Sequence, residues 1–257
     1  MKPKSAETVT LDFETFRRAR LSWQNQVKVG DKVISNAEVI ARAEPLLTGE
    51  RLARIRSVIA GRTRNLVAAI ENPYDLGNIS AVMRSAESFG ILEVGLITSP
   101  DAKFKAANRV AKGSEKWLDI PVFRSAKEAT DNWRGRGLQI LCTHLEKSED
   151  LSDIDFSKPT VVVLGNEKDG VSAEMVSMAD GCVRIPMQGF TQSFNLSVAG
   201  ALVFYHAWRE RERQLGASGD LSEVEKVQLY AQYLLRCLDK PETILKPDLE
   251  IRNGFNK

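Results

Sequence analysis

Hydrophobic positions set a regular rhythm along this chain from Gly49 onward. Leu52, Ile55, Val58 and Ile59 fall on one helical face, with Arg51, Arg54 and Arg62 mainly off it. A compact apolar run, Leu66–Ile70, predicts a buried strand. Ile79–Phe89 then predicts a helix with Asn78 as its N-cap and Gly90 as its terminating glycine. Further strands are expected at Glu93–Ile97, Leu138–Thr143, Thr160–Gly165 and Cys182–Ile185. Helices are expected at Ala126–Arg134, at Ser172–Ala179 with Ser172 as cap, and at Leu196–Gln214. Strand and helix in alternation predict an α/β fold, a largely parallel sheet with flanking helices on both faces. Residues 1–45 are polar and weakly periodic, giving only short helices over Phe13–Trp23 and Asn36–Ala43. Past Gly216 one more helix is expected near Ser222–Leu238, before a polar, proline-containing end. The chain therefore divides into a basic, mainly helical N-terminal extension (1–64), an α/β domain (65–215) and a helical C-terminal extension (216–257).

Composition removes several function classes. Apolar residues at 43% and charged residues at 27% are those of a globular domain. No run of apolar residues is long enough to span a bilayer, and the start, MKPKSAETVT, lacks the apolar segment of a secretion signal. Cys142, Cys182 and Cys237 make neither a disulfide framework nor a Cys-x-x-Cys pair, and His144 and His206 are too few for a zinc site. A cytoplasmic protein with no membrane and no metal is expected. The net charge of +2 becomes informative once divided. Residues 1–64 hold 13 Lys/Arg against 7 Asp/Glu, whereas residues 65–208 hold 14 against 18. A basic segment on a mildly acidic body suits a polyanion docking at one end, and equally suits a solvated helix surface.

Three segments carry polar side chains at the carboxyl ends of predicted strands, where open α/β sheets bind ligands. The first runs Asn72-Pro-Tyr-Asp-Leu-Gly-Asn78 into a helix that carries Arg84. Arg84 lies off the apolar face of Val82, Ala86 and Phe89, either reaching toward a ligand or paired with Glu87. The second, Leu164-Gly165-Asn166-Glu167-Lys168-Asp169-Gly170, follows the strongest strand, but is neither a dinucleotide fingerprint nor a phosphate loop. The third, from Ile185 through Met187, Ser193 and Asn195 to Leu196, enters a helix that Asn195 is placed to cap. That helix is apolar nearly all round (Val198, Ala199, Ala201, Leu202, Val203, Phe204), which predicts burial on most sides and a subunit interface.

In this order the three segments resemble the motifs of the SpoU branch of the SPOUT methyltransferases, particularly the TrmH-type RNA 2′-O-ribose methyltransferases. The resemblance runs from about Glu50 to about Arg213 and takes in Lys112-Gly-Ser-Glu-Lys-Trp117 and Gly137-Leu-Gln-Ile-Leu-Cys-Thr-His144. It departs from the TrmH pattern at Tyr74-Asp75-Leu76-Gly77, where His-Lys-Pro is usual, and at Phe194, where Leu is usual. The resemblance implies a C-terminal deep trefoil knot, an exception to the rule against knotted chains. It implies S-adenosyl-L-methionine held among Thr143, Leu164, Gly165, Glu167, Ile185, Met187, Ser193 and Leu196. It assigns Arg84 to the ribose 2′-hydroxyl, and Asn78, Glu167, Ser193 and Asn195 to organising Arg84 and the cofactor. Because guanidinium groups stay protonated in proteins, orienting a phosphate and stabilising developing charge is an alternative to proton abstraction. The resemblance also implies a homodimer through the last helix of the domain. Arg51, Arg54, Arg56, Arg62, Arg64, Arg209, Arg211 and Arg213 would then grip RNA phosphates. The short N-terminal extension favours tRNA, with guanosine 18 of the D-loop as target. Ribosomal RNA as substrate and a non-catalytic RNA-binding module are the competing readings.

Overall fold

A computed structural model describes residues 20–98, 113–145, 148–217 and 219–245. The described residues form two compact units, one within Gly61–Asp220 and one that combines Leu21–Ala60 with Leu221–Leu245. The second unit opens with an antiparallel hairpin, β1 (Gln26–Val29) and β2 (Lys32–Ser35), followed by α1 (Asn36–Ala43) and α2 (Gly49–Ala60). Val27 and Val29 are buried while Gln26 and Lys28 are exposed, and Gly30 turns the chain at φ +57°. The expected Phe13–Trp23 helix falls partly outside the described residues, and Arg20–Trp23 are not helical.

The larger unit is a seven-stranded sheet of order β5-β4-β3-β8-β6-β9-β7. Its strands are β3 (Leu66–Glu71), β4 (Val94–Ile97), β5 (Val122–Phe123), β6 (Gln139–Thr143), β7 (Glu149–Asp150), β8 (Thr160–Leu164) and β9 (Gly181–Arg184). Every pairing among them is parallel. Among the described residues this unit carries the α-helices α3 (Leu76–Ser88), α4 (Ala126–Gly135), α5 (Ala173–Met178) and α6 (Leu196–Leu215). Side chains alternate across β3, so Leu66, Ala68 and Ile70 pack with Val82, Met83, Val203 and Phe204 of α3 and α6. Val67 and Ala69 face the opposite way, into a core shared with Trp133 of α4 and Met175 of α5. Both faces are covered, which is why these strands read as unbroken apolar runs. The parallel α/β expectation therefore holds.

Two local differences bear on function. Helix α3 starts at Leu76, with Asp75 rather than Asn78 as its N-cap. The Asp75 carboxylate accepts from the Gly77 and Asn78 amides at 2.6 and 3.3 Å. Asn78 is thus a first-turn residue whose side chain is released for other work. The short edge strands β5 and β7 are too brief to give a period in the sequence.

The two extensions expected to be separate belong to one unit. Helix α7 (Glu223–Cys237), opened by a Ser222/Glu225 capping box, packs against α1 and α2. Tyr230 donates to Glu44 at 2.6 Å, and Gln232 exchanges hydrogen bonds with the Ser22 backbone at 2.7 and 2.6 Å. Hydrogen bonding to Glu44 and burial push the Tyr230 hydroxyl up to about 12, burial being the larger cause. Among the described residues no helix is long and apolar enough to cross a membrane.

Candidate active site

The carboxyl ends of β6, β8 and β9 and the start of α6 surround a cavity of about 500 Å³. Small-molecule sites are commonly about 300–1,000 Å³. All eight residues assigned to the cofactor line it: Thr143, Leu164, Gly165, Glu167, Ile185, Met187, Ser193 and Leu196. Sequence reasoning missed other lining residues, including His144, Asn166, Lys168, Val171 and Arg184. His144 and Arg184 sit at the ends of β6 and β9, whereas Asn166, Lys168 and Val171 come from the loop after β8, whose path strand register does not give.

The loop after β8 is closed on itself. Asn166 and Gly170 exchange backbone hydrogen bonds at 3.2 and 3.1 Å, and the Asn166 side chain accepts from the Lys168 and Asp169 amides at 2.8 and 2.7 Å. Gly170 sits at φ +69°, a conformation that suits glycine. Gly165 is required for a different reason. A Cβ there would lie 2.0 Å from the Gly170 carbonyl carbon and 2.1 Å from the Val171 nitrogen. The cavity wall is therefore backbone from Gly165 plus apolar side chains from Leu164, Val171, Ile185 and Leu196, with carboxylates of Glu167 and Asp169 on the lining. A flat heteroaromatic ring with a polar edge fits such a lining. Among the described residues no group of His, Cys, Asp and Glu is arranged to hold a metal.

The polar residues of all three motifs meet beside this cavity. Asn78 Nδ2 donates to the Glu167 carboxylate, and Asn195 Nδ2 donates to Asn78 Oδ1 at 3.3 Å. Asn195 also caps α6, its Oδ1 accepting from the Ser197 amide at 2.9 Å. Both ends of the Asn195 amide are thus used, Oδ1 in capping α6 and Nδ2 on Asn78. Ser193 lines the cavity. Arg84 is exposed on α3 and does not line the cavity. The pairing of Arg84 with Glu87 does not form, because Glu87 is taken by Arg62 at 2.5 Å. Among the described residues the Arg84 guanidinium has no hydrogen bond or ion pair, leaving it available to a substrate.

Two of the eight RNA-contact arginines are corrected. Arg62 is 1% exposed and bonded to the Glu87 carboxylate and carbonyl. Arg211 is 2% exposed, bonded to Asp220 at 2.8 Å and to the Phe156 carbonyl at 3.0 Å. Burial pushes the Arg211 guanidinium below its usual value, and Asp220 opposes that shift. Neither side chain is available to a phosphate. Their partners are 25 and 9 residues away, so helical periodicity could not reveal the pairing. Arg51, Arg54, Arg56, Arg209 and Arg213 are exposed and Arg64 half-buried. Of these, Arg56 pairs with Glu44, Arg209 with Glu212 and Arg213 with Glu210. Cys142, at the end of β6, is fully buried. Burial first, then Cys182 and Glu71, push its thiol up to about 12, so it is no nucleophile.

Comparison with known proteins agrees with this geometry. Residues 65–205 match the model of the SpoU rRNA Methylase family. An Escherichia coli K12 protein named tRNA (guanosine(18)-2′-O)-methyltransferase is 35% identical over 183 residues, covering 70% of this chain and 80% of its own. The crystal structure of the Aquifex aeolicus TrmH/SpoU tRNA modifying enzyme aligns with a TM-score of 0.63 at 34% identity, over 72% of this chain and 95% of that one. The SpoU methyltransferase AviRb from Streptomyces viridochromogenes, solved with AdoMet, aligns with a TM-score of 0.53 at 27% identity, over 60% and 61% of the two chains. With the family model spanning more than half of its length, the second and third motifs lining one cavity and Asn78 of the first bonded to Glu167 beside it, this chain belongs to the SpoU methylase family.

Proposed function

We propose that this protein transfers a methyl group from S-adenosyl-L-methionine to the ribose 2′-hydroxyl of guanosine 18 in tRNA, in the cytoplasm. The observation that carries the chemistry is the cavity at the carboxyl ends of β6, β8 and β9, lined by all eight expected cofactor residues. The choice of tRNA rests on relatives of that name that match most of their own length, 80% and 87% for the Escherichia coli and Aquifex proteins. Bound in the cavity, S-adenosyl-L-methionine supplies an electrophilic methyl on a sulfonium. The Gly165 backbone, Leu164, Ile185, Met187 and Leu196 hold the adenosine portion, and Thr143, Glu167 and Ser193 hold polar edges. Asn78, fixed between Glu167 and Asn195, sets the border between cofactor and substrate. Arg84, two positions beyond Val82 on α3 and free of Glu87, orients the substrate phosphate and stabilises charge developing on the 2′-oxygen. Orienting the ribose toward the bound donor would provide much of the acceleration.

The segment from Gly165 through α6 supplies the trefoil-knotted part of the fold. Supporting this, β8 inserts between β3 and β6, and β9 returns on the far side of β6. A second copy of the chain covers α6. Phe194, Val198, Leu202 and Tyr205 form an exposed stripe at helical spacing, an apolar face unlike a solvated surface. RNA phosphates are gripped by Arg51, Arg54 and Arg56 of α2, and by Arg64, Arg209 and Arg213. Exposed ion pairs such as Arg213–Glu210 are weak because solvent screens them, and they yield readily to a phosphate. The test is incorporation of labelled methyl into unmodified tRNA and rRNA transcripts. Incorporation into tRNA supports the reading. Incorporation into rRNA alone overturns the substrate, and none into either overturns the activity.

A further inference from the structure

On β3 the side chains of Val67 and Ala69 enter the apolar core beneath α4 and α5, and Glu71 is next on that face. It is 3% exposed. A carboxylate in such a place is expensive unless both oxygens are hydrogen-bonded. Both are, and to one residue. Oε2 accepts from the Ser172 amide at 2.7 Å, and Oε1 accepts from the Ser172 hydroxyl at 2.7 Å. Ser172 in turn caps α5, its hydroxyl accepting from the Met175 amide at 3.1 Å. Ser172 is also where the loop that walls the cavity ends.

The register explains what this arrangement does. β3 and β8 pair as far as Ile70 and Leu164. Glu71 and Gly165 are therefore the next residues on each strand. The loop leaves β8 at Gly165, is pinned in the middle by Asn166 and Gly170, and is drawn back to the end of β3 by Glu71. Asn72, at φ +46°, turns the chain immediately after Glu71, with its amide bonded to the Ile97 carbonyl at 2.8 Å, so the anchor itself is fixed. An apolar side chain would suit the surrounding core better, yet it would leave the Ser172 amide without this acceptor.

We infer that Glu71 is a positioning residue for the methyl donor, acting through Ser172 to hold the 165–171 loop against the cavity. This rests on the assignment of the cavity to the cofactor. The test is calorimetric binding of S-adenosylhomocysteine to the full-length wild-type, Glu71→Ala, Glu71→Gln and Ser172→Ala proteins, with steady-state kinetics alongside. Loss of a charge-assisted pair predicts a dissociation constant raised about 10- to 100-fold in Glu71→Ala. Glu71→Gln, which keeps an acceptor for the Ser172 amide and a donor for its hydroxyl, should recover much of that loss. The KM for the methyl donor should rise with these changes, while the KM for tRNA stays at its wild-type value. Should Glu71→Ala not fold, Ser172→Ala, which retains one of the two bonds, carries the same comparison at smaller amplitude. Wild-type affinity in the folded variants, with only the melting temperature lowered, overturns the inference and leaves the proposed function intact. Failure of the wild-type protein to bind S-adenosylhomocysteine overturns both.

Discussion

Replacing Gly165 by Ala adds one methyl group at the point where the cavity wall is made of backbone. The added Cβ would lie 2.0 Å from the Gly170 carbonyl carbon and 2.1 Å from the Val171 nitrogen, contacts no rotamer change relieves. The 166–170 turn must open, losing the two backbone hydrogen bonds between Asn166 and Gly170. Overpacking costs about 1–3 kcal/mol and each of the two lost hydrogen bonds about 0.5–1.5 kcal/mol, so a total of about 2–6 kcal/mol is expected. For a body of this size that corresponds to a fall in Tm of roughly 4–24 °C. Because the displaced atoms line the cavity, affinity for S-adenosylhomocysteine should fall at least ~10-fold, the equivalent of about 1.4 kcal/mol. Thermal melts and calorimetric titration of Gly165→Ala measure both quantities. An unchanged Tm together with wild-type affinity would refute the reasoning, since it would mean that Gly165 does not face the loop closure.

Other predictions address separate parts of the account. Arg84→Ala should lower kcat by at least about 100-fold, as for loss of a group that stabilises developing charge, with S-adenosylhomocysteine affinity intact. Retained turnover would remove Arg84 from the chemistry. Leu202→Glu, in the middle of the exposed α6 stripe, should shift the protein from dimer to monomer in analytical ultracentrifugation. A dimer that persists would place the interface elsewhere. Arg211→Ala leaves Asp220 without its buried partner and should cost about 3–5 kcal/mol in denaturant unfolding. A cost near zero would mean that Arg211 is not buried as described. Cys142 holds its proton more tightly folded than unfolded, so its contribution is complete below about pH 9 and is lost as pH rises toward about 12. Stability should fall more steeply over that interval in the wild type than in Cys142→Ala, by up to ~4 kcal/mol. Equal slopes would show that the thiol is not buried.

Much of the site was legible because its residues sit at strand ends, and strand ends follow from apolar runs. Leu164, Gly165 and Ile185 come together as soon as β8 and β9 are placed in one parallel sheet. The sequence pattern places the helix N-cap at Asn78, and the structure gives that role to Asp75. The carboxylate at Asp75 lies three residues earlier and competes for the same helix start, and the extended φ of −108° at Asp75 decides it. What the sequence hid is non-local. Glu44 and Tyr230 are 186 residues apart, so no window along the chain could unite the two extensions into one unit. The burial of Arg62 and Arg211 depends on Glu87, Phe156 and Asp220, none of which lies within a helical turn. Glu71 carries no signal of its own in the sequence, because an acidic residue closing an apolar strand looks like a solvated end until Ser172 is found against it. The β1–β2 hairpin did leave a signal, Val27 and Val29 alternating ahead of Gly30-Asp31, but four-residue strands are easily lost beside helical patterns.

The measurement that bears most directly on the central claim is nucleoside mapping of a tRNA transcript after incubation with the protein and labelled S-adenosyl-L-methionine, alongside a transcript that carries 2′-deoxyguanosine at position 18. The account predicts a single 2′-O-methylguanosine at position 18 of the first transcript and no label on the second. Equal labelling of both transcripts, or a methyl group on a base, would contradict it.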